Sequence, residues 1–218
     1  MESITVAVIA ATLLGGLFGL AADRLSARWP VHDDGAIRRR DWRTVAVVLG
    51  GSVAFGLLAA RWTDPLELAV LGIYVAALIV LLATDLDQKL LPDLITFPLM
   101  GYALVVLVLG LNPVLADKAG VFVADGDLTA VLAAVAAPAL LAITDRVFRG
   151  ALGMGDLKLA VSLGLMFGLS QLFIGFLIGT IAFAAVVLVL VASRRVSLKT
   201  AVPFGPALIA AGVIAAVV

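Results

Sequence analysis

Residues 66–110 read LELAVLGIYVAALIVLLATDLDQKLLPDLITFPLMGYALVVLVLG, and the pattern of this segment sets the fold class. Two apolar runs, over residues 66–84 and 94–111, enclose a short polar stretch. Each run approaches the roughly 20 residues that a helix needs to cross the hydrocarbon core of a bilayer. The pattern therefore predicts two membrane-spanning helices joined by a turn that stays at the membrane surface.

The whole chain has the composition of a membrane protein. It is 63% hydrophobic and 14% charged over 218 residues, whereas soluble domains are roughly a quarter charged, which excludes a soluble globule. We predict an all-α fold, a polytopic membrane helical bundle that forms a single domain over residues 1–218. Apolar runs predict eight spans, at about residues 4–23, 44–61, 66–84, 94–111, 128–145, 157–169, 171–193 and 201–218.

Two of these spans are unusual. The sixth is short, and only residues 168–171 separate it from the seventh, so it is expected to be tilted, re-entrant or part of a helical hairpin. The first span follows Glu2 rather than a basic region and ends in Asp23 and Arg24 without a small-residue cleavage site. It is expected to be a retained helix and not a signal peptide.

The basic residues predict how the bundle is oriented. Short cytoplasmic loops of membrane proteins accumulate Lys and Arg. Of the 15 Lys and Arg residues, loops two, four and six hold only Arg61 and Lys118, and loops one, three, five and seven hold the rest. This split predicts that both termini lie outside, with a short cytoplasmic loop at residues 26–43 and the longest outer loop at residues 112–127.

The sequence also limits the chemistry that the chain can use. It has no cysteine, which excludes disulfides, thiolate zinc sites and a cysteine nucleophile. Its one histidine, His32, lies in a polar loop and is expected to be a solvated side chain rather than a metal ligand. We therefore predict no metal site and no cofactor.

Two acidic residues stand at the edge of predicted spans on the same side. Asp85 closes the third span, and Asp156 opens the sixth within Gly153-Met154-Gly155-Asp156. Ionisable groups are costly in a bilayer, so each one suggests a function. Taken alone, either acid is explained more readily by a helix cap at a wet interface than by a functional role. Together, on one side of the membrane, the two carboxylates can meet.

A pair of carboxylates in a partly dry site has a known chemistry. Two such groups cannot both ionise easily, so they share a proton. One can then act as a general base on water while the other acts as a general acid toward a carbonyl. This arrangement hydrolyses a peptide bond without a metal, a serine or a cysteine.

Four segments, in order along the chain, carry a resemblance to one family. The stretch from Asp85 to Leu99 and the segment Gly153–Leu159 resemble the two signature segments of type IV prepilin peptidases, the GxGD aspartic proteases of pilus and secretion systems. Val202–Ala207 resembles the Pro-Phe-Gly-Pro motif of that family. Gly15–Leu25 is similar to the first-helix segment of its longer bacterial members.

This resemblance implies an aspartic endopeptidase in the inner membrane, with its active site facing the cytoplasm. Its partners would be prepilin-like substrates, cleaved at a leader after a glycine, and the lipid bilayer, with no nucleic acid. By motif position, Asp85 and Asp156 would be the catalytic pair. The supporting residues would be Gly153, Gly155, Lys158, Asp87, Pro92 and Asp93.

The chain also departs from the longer members of that family. Those members carry a cytoplasmic insert with zinc-binding cysteines and are associated with N-methylation, whereas this chain has only residues 29–43 there. The usual Glu early in the second helix is replaced by the Thr44–Val47 stretch. Proteolysis is therefore expected, and methylation is not. Arg38, Arg39 and Arg40 are expected to anchor the loop to anionic lipid. Lys158 is expected either to stabilise a nearby carboxylate or, with a slight preference, to extend toward the membrane surface.

Two other functions stay open from the sequence. The chain could be an inactive or repurposed relative with the same fold. It could also be a small transporter whose intramembrane acids carry a proton or a cation. A peptidase would lose leader cleavage when Asp85 is replaced by Asn, whereas a transporter would lose ion-coupled uptake and cleave nothing.

Overall fold

The computed structural model describes residues 2–31, 37–116, 126–148, 152–192 and 204–218, and it is helical throughout, with no strand in those ranges. The predicted all-α fold is therefore confirmed. His32, Lys118, Val202 and Pro203, which the sequence singled out, lie outside the described residues. The helices are α1 (Glu2–Ser26), α2 (Trp42–Arg61), α3 (Pro65–Gln88), α4 (Asp93–Val108), α5 (Pro113–Ala116), α6 (Gly126–Phe148), α7 (Met154–Ala192) and α8 (Gly205–Ala215).

Five of these helices, α1, α2, α3, α6 and α7, are long and apolar enough to cross a membrane. Two more, α4 and α8, are apolar but shorter. The chain is thus a membrane protein with several spanning helices. The number of crossings and the side on which the termini lie stay predictions.

Glycines bring α1 and α2 into close contact. A Cβ built at Gly19 would lie 2.6 Å from the carbonyl oxygen of Val47, and Gly15 faces the backbone of Gly51 just as closely. Small residues at such crossings let two helix backbones approach, which is the usual way that helices pack in lipid. This contact places the C-terminal end of α1 beside the N-terminal end of α2.

Helix α3 lies at the centre of the bundle and contacts α1, α2, α4 and α8. Tyr74, in the middle of α3, is fully buried, and its hydroxyl lies 2.9 Å from the hydroxyl of Ser162 in α7. The ring of Tyr74 also meets Phe167 of α7 edge-on, with centroids 5.5 Å apart. The hydrogen bond and the ring contact fix α7 against α3, and so fix the relative positions of Asp85 and Asp156.

Helix α7 reverses direction at Gly168. Leu163 lies against Gly212 of α8, and Gly175 lies against Ala211, one residue away on the same helix. In a straight helix, residues 163 and 175 would be roughly 18 Å apart along the axis. Gly168 has φ 64° and ψ −175°, a conformation that only glycine adopts readily. The chain therefore folds back within residues 168–171, where the sequence predicted a possible hairpin.

Asn112 caps the first half of α7 at this reversal. Its side-chain amide donates to the carbonyl oxygen of Met166 at 2.8 Å, a group that has no helical partner once the helix breaks at Gly168. Its carbonyl oxygen accepts from the backbone N–H of Val114 at 3.1 Å, in the first turn of α5. Asn112 is buried, so both ends of its amide are satisfied within the protein.

We expect Asn112→Leu to destabilise the protein by about 1–3 kcal/mol, because the buried Met166 carbonyl would lose its donor. Thermal unfolding of the purified protein in detergent measures the change. Thr144→Val is the matched control, since the Thr144 hydroxyl donates to the carbonyl of Leu140 at an exposed position within an intact helix. Equal unfolding temperatures for the two variants would contradict this role of Asn112.

Several predicted boundaries are wrong at their ends. α3 continues to Gln88, past the predicted end at residue 84. It ends there because Lys89 adopts a left-handed conformation (φ 54°), and the N–H of Lys89 donates to the carbonyl of Asp85. α4 ends at Val108 rather than residue 111, in a turn with Gly110 at φ 63°. In the loop predicted to lie outside, residues 113–116 form the short helix α5, and residues 117–125 lie outside the described residues.

Candidate active site

Asp85 lies in the last turn of α3 and is buried, with 4% of its surface exposed. Its carbonyl accepts from Lys89 at 2.9 Å, as part of the helix end. Its carboxylate is different, because Oδ2 has no hydrogen-bond partner among the residues that the structure describes. Buried polar groups in proteins are nearly always hydrogen-bonded. A buried carboxylate oxygen with nothing bound to it has the capacity to bind water or a substrate group.

Asp156 lies in the first turn of α7 and is also buried. Its Oδ2 accepts from the backbone N–H of Gly153 at 2.9 Å, and its own N–H donates to the Gly153 carbonyl at 3.1 Å. A side chain at the third helical position that accepts from the N–H of the residue just before the helix is half of a capping box. Gly153 therefore fixes the Asp156 carboxylate at the start of the helix, and one of its two oxygens remains for other partners.

Gly155 joins the two signature segments. A Cβ built at Gly155 would lie 2.8 Å from Cβ of Leu91 and 3.2 Å from the Leu91 carbonyl oxygen. Only a glycine permits this approach between the first turn of α7 and the segment that follows α3. Pro92, next to this contact, is buried and is the capping residue just before the first turn of α4. The sequence expected close backbone approach at these glycines, and the structure places it at Gly155.

Asp85 and Asp156 come together at the same end of the bundle, where α3 ends and α7 begins. The contact between Gly155 and Leu91 lies one residue from Asp156 and six residues from Asp85. The two carboxylates are close enough to interact electrostatically. The structure thus brings together the two acids that the sequence placed on one side of the membrane.

Lys158 binds Asp93, so of the two roles expected from the sequence the structure shows the contact with a nearby carboxylate and not the slightly favoured extension toward the membrane surface. Its Nζ lies 2.5 Å from Oδ1 of Asp93 and 4.5 Å from the ring centroid of Phe97. Asp93 and Phe97 lie on consecutive turns of α4, so the carboxylate and the face of the ring both contact the Lys158 ammonium group. The Asp93 side chain is 61% exposed, so this ion pair links the starts of α4 and α7 at the surface.

Asp87 is held by two arginines from the loop and helix that precede α3. Arg38 Nε lies 2.6 Å from Oδ1 of Asp87, and Arg43 Nη1 lies 3.1 Å from the same oxygen. The Asp87 side chain is 1% exposed. The Asp87 carboxylate is therefore engaged with these two arginines. It ties the end of α3 to the segment before α2.

Asp23 completes this ion-pair cluster, and sequence reasoning did not identify it. It is fully buried near the end of α1, it binds the guanidinium groups of Arg24 and Arg38, and it accepts from the Thr44 hydroxyl at 2.9 Å. The signal was an acid inside an apolar span followed at once by an arginine. An acid in that position must be paired, because an unpaired buried carboxylate is costly.

The position of Arg38 corrects another expectation. The sequence predicted that Arg38, Arg39 and Arg40 anchor the loop to lipid, but the Arg38 side chain is 11% exposed and lies within the ion-pair cluster. Burial alone would lower the pKa of Arg38, but hydrogen bonding and charge from Asp23, with the charges of Asp87 and Asp41, raise it above its usual value. Arg39 and Arg40 are exposed and remain available to lipid.

The comparisons with known proteins point to one family. The sequence model of the type IV leader peptidase family matches residues 72–190, a range that includes both Asp85 and Asp156. The chain is 34% identical over 167 residues to the prepilin leader peptidase/N-methyltransferase of Burkholderia pseudomallei strain 1026b, and the same figures hold for strain K96243. No solved structure matches the chain.

These alignments cover the two proteins unequally. They include 74% of this chain but 50% of each Burkholderia protein. The chain therefore spans about half the length of the curated relatives that it matches. Half of each Burkholderia protein lies outside the alignment, so the names of these relatives do not by themselves assign an activity, a substrate or a partner to this chain.

Proposed function

The chain belongs to the type IV leader peptidase family, and on that basis we propose that it is a membrane aspartic endopeptidase with Asp85 and Asp156 as its catalytic pair. One observation carries the proposal. Two buried aspartates from different helices lie within electrostatic range of each other at one end of the bundle, and one carboxylate oxygen has no partner in the described residues. Such an oxygen can bind the water that attacks a peptide bond.

The proposed mechanism uses one proton shared by the two carboxyl groups. The ionised carboxylate removes a proton from water, and the hydroxide equivalent attacks the carbonyl carbon of the scissile bond. The protonated carboxyl donates its proton to the carbonyl oxygen, which gives a gem-diol. When this intermediate collapses, the C–N bond breaks and the amide nitrogen takes a proton from the carboxyl that accepted it from water. At the same time one hydroxyl of the gem-diol returns its proton to the other carboxylate and becomes the new carbonyl. The pair ends with one proton, as it began.

The two aspartates are held differently, which suggests different roles. Asp156 accepts a backbone hydrogen bond from Gly153, and such a bond favours a carboxylate that stays ionised. Asp85 Oδ2 has no donor among the described residues, which favours the group that carries the shared proton. We therefore assign Asp156 as the first general base and Asp85 as the first general acid.

The proposed substrates are type IV prepilin-like proteins, cleaved at the leader, after a glycine, on the cytoplasmic face. The excess of basic residues in alternate loops supports this side of the membrane, with eight crossings and both termini outside. Methylation of the new N-terminus, which the names of the Burkholderia relatives include, is not part of the proposal. The segment that precedes α2 here is short and contains no cysteine.

The test is cleavage of a purified prepilin-like substrate by the purified protein in lipid. We expect the wild type to release the leader and Asp156→Asn to release none. Asp156→Asn is preferable to Asp156→Ala, because the Asn side chain can still accept from the Gly153 N–H and so keep the start of α7. Intact substrate after prolonged incubation with the wild type would support the two other functions, a repurposed relative or an ion carrier.

We expect the rate of cleavage to pass through a maximum as pH is varied. At low pH both carboxyl groups are protonated and no base remains, and at high pH both are ionised and no acid remains. Measuring kcat/KM for the wild type across the range in which it stays folded gives the profile. A rate that does not change with pH would contradict a shared proton.

A further inference from the structure

The first turn of α8 lies directly against the Asp85 carboxylate. A Cβ built at Gly205 would be 2.6 Å from Asp85 Oδ2 and 2.7 Å from Asp85 Cγ. Heavy atoms that are not bonded pack at about 3.5–4.0 Å. Any residue other than glycine at this position would therefore overlap the carboxylate where it now lies.

The atom nearest to this position is the unpartnered one. Asp85 is 4% exposed, and its Oδ2 has no hydrogen-bond partner in the described part of the chain. The absence of a side chain at residue 205 is therefore what allows the Asp85 carboxylate to occupy this position, with the hydrogen-bonding capacity of Oδ2 still unused among the described residues.

Gly205 cannot easily withdraw from Asp85. Pro206 follows it in the first turn of α8, and both residues are buried. The carbonyl of Phe204 accepts from Ala207 at 3.0 Å, and the Phe204 ring packs against Phe176 of α7 at 6.2 Å between centroids. The start of α8 is thus anchored on α7, and Gly205 is a fixed part of the wall around Asp85.

We propose that Gly205 is a positioning residue of the peptidase site, and this inference rests on the proposed function. Its missing side chain allows the Asp85 carboxylate to pack against the first turn of α8, in the position from which it can share the attacking water with Asp156. Three elements then build the site, with Asp85 from α3, Asp156 from α7 and the wall from α8. The family match over residues 72–190 does not include this third element.

The test is Gly205→Ala, assayed with a prepilin-like peptide. The added methyl group displaces the Asp85 carboxylate by about an ångström or more, and a displacement of that size costs about 100-fold in kcat. We expect KM to stay within about threefold, because the substrate still docks on the same surface. A kcat equal to that of the wild type would overturn the proposal.

Gly212→Ala is the matched control on the same helix. Its Cβ would lie 2.6 Å from Leu163 Cδ2 and 2.9 Å from Leu78 Cδ1, which is as tight but against the ends of flexible side chains and away from both aspartates. We expect this variant to keep a kcat near that of the wild type. An equal loss in both variants would mean that Gly205 acts only through packing of α8, and would overturn the proposal.

A second measurement does not depend on activity. The chain has no cysteine, so the double variant Asp85→Cys with Gly205→Cys contains only the two introduced thiols. Cβ atoms in disulfides lie about 3.5–4.5 Å apart, which the present contact allows. We expect a disulfide under mild oxidation, and none in Asp85→Cys with Gly212→Cys, which lies about 10 Å further along the helix.

The two measurements separate the possible failures. Absence of the disulfide, or equal yield in both pairs, would overturn the placement of Gly205 whatever the protein cleaves. Failure of the wild type to cleave would overturn the proposed function and this inference with it. Cleavage by the wild type with full kcat in Gly205→Ala would overturn this inference alone.

Discussion

Asp85→Asn is expected to reduce the rate of leader cleavage by at least about 10³-fold while the protein stays folded, because the variant cannot supply a general acid. Asn has nearly the same shape as Asp, and Oδ2 of Asp85 makes no hydrogen bond to any described residue, so the fold loses no contact there. Steady-state cleavage of a prepilin-like peptide, together with an unfolding curve, measures both effects.

The same substitution at the other end of α3 is the control. Asp64 caps α3 by accepting from the N–H groups of Leu66 and Glu67, and Asn is as good a residue as Asp at that position. Asp64→Asn should therefore cleave at the rate of the wild type. If Asp85→Asn also cleaves at that rate, the proposed role of Asp85 is wrong.

Arg38→Met is expected to have the largest effect on stability, about 3 kcal/mol. Arg38 bridges Asp23 of α1 and Asp87 of α3, and both of those carboxylates are almost completely buried. Removal of one member of a buried ion-pair group leaves the others charged and incompletely paired, which costs more than the pair contributed. Unfolding in detergent at neutral pH measures the loss.

Arg39→Met is the matched control, because it removes the same charge from the next residue, whose side chain is exposed. A surface change of this kind alters stability by about 0.5 kcal/mol or less. If Arg38→Met and Arg39→Met have the same free energy of unfolding, the cluster around Asp23 does not hold α1 to α3. A fall in cleavage by Arg38→Met at temperatures where it is folded would show that the cluster also steadies the end of α3 that carries Asp85.

The parts of the fold that follow from local patterns could be predicted from the sequence. Apolar runs of sufficient length indicated the helical membrane class, and the short interruption from Gly168 to Gln171 indicated the break in α7. Asp85 and Asp156 could be placed on the same side because the basic loops alternate along the chain. The glycine before Asp156 predicted a close backbone approach, although its partner, Leu91, could not be named.

Contacts between distant segments could not be predicted. The ion pairs of Arg38 join residues 15 and 49 positions away, and a run of three arginines looks the same whether it faces lipid or a buried carboxylate. Lys158 and Asp93 are 65 residues apart, so nothing in the local sequence links them. The approach of Gly205 to Asp85 depends on how α8 packs against α3, and a single sequence gives no information about that contact.

The most direct test of the central claim is a cross-link between the two proposed catalytic positions. In Asp85→Cys with Asp156→Cys, which contains no other thiol, a short bifunctional thiol reagent should join the two residues in most of the protein, as detected by mass spectrometry. The pair Asp64→Cys with Asp156→Cys, at the opposite end of α3, should not be joined. Equal yields from the two pairs, or no link between positions 85 and 156, would contradict a site built from both aspartates.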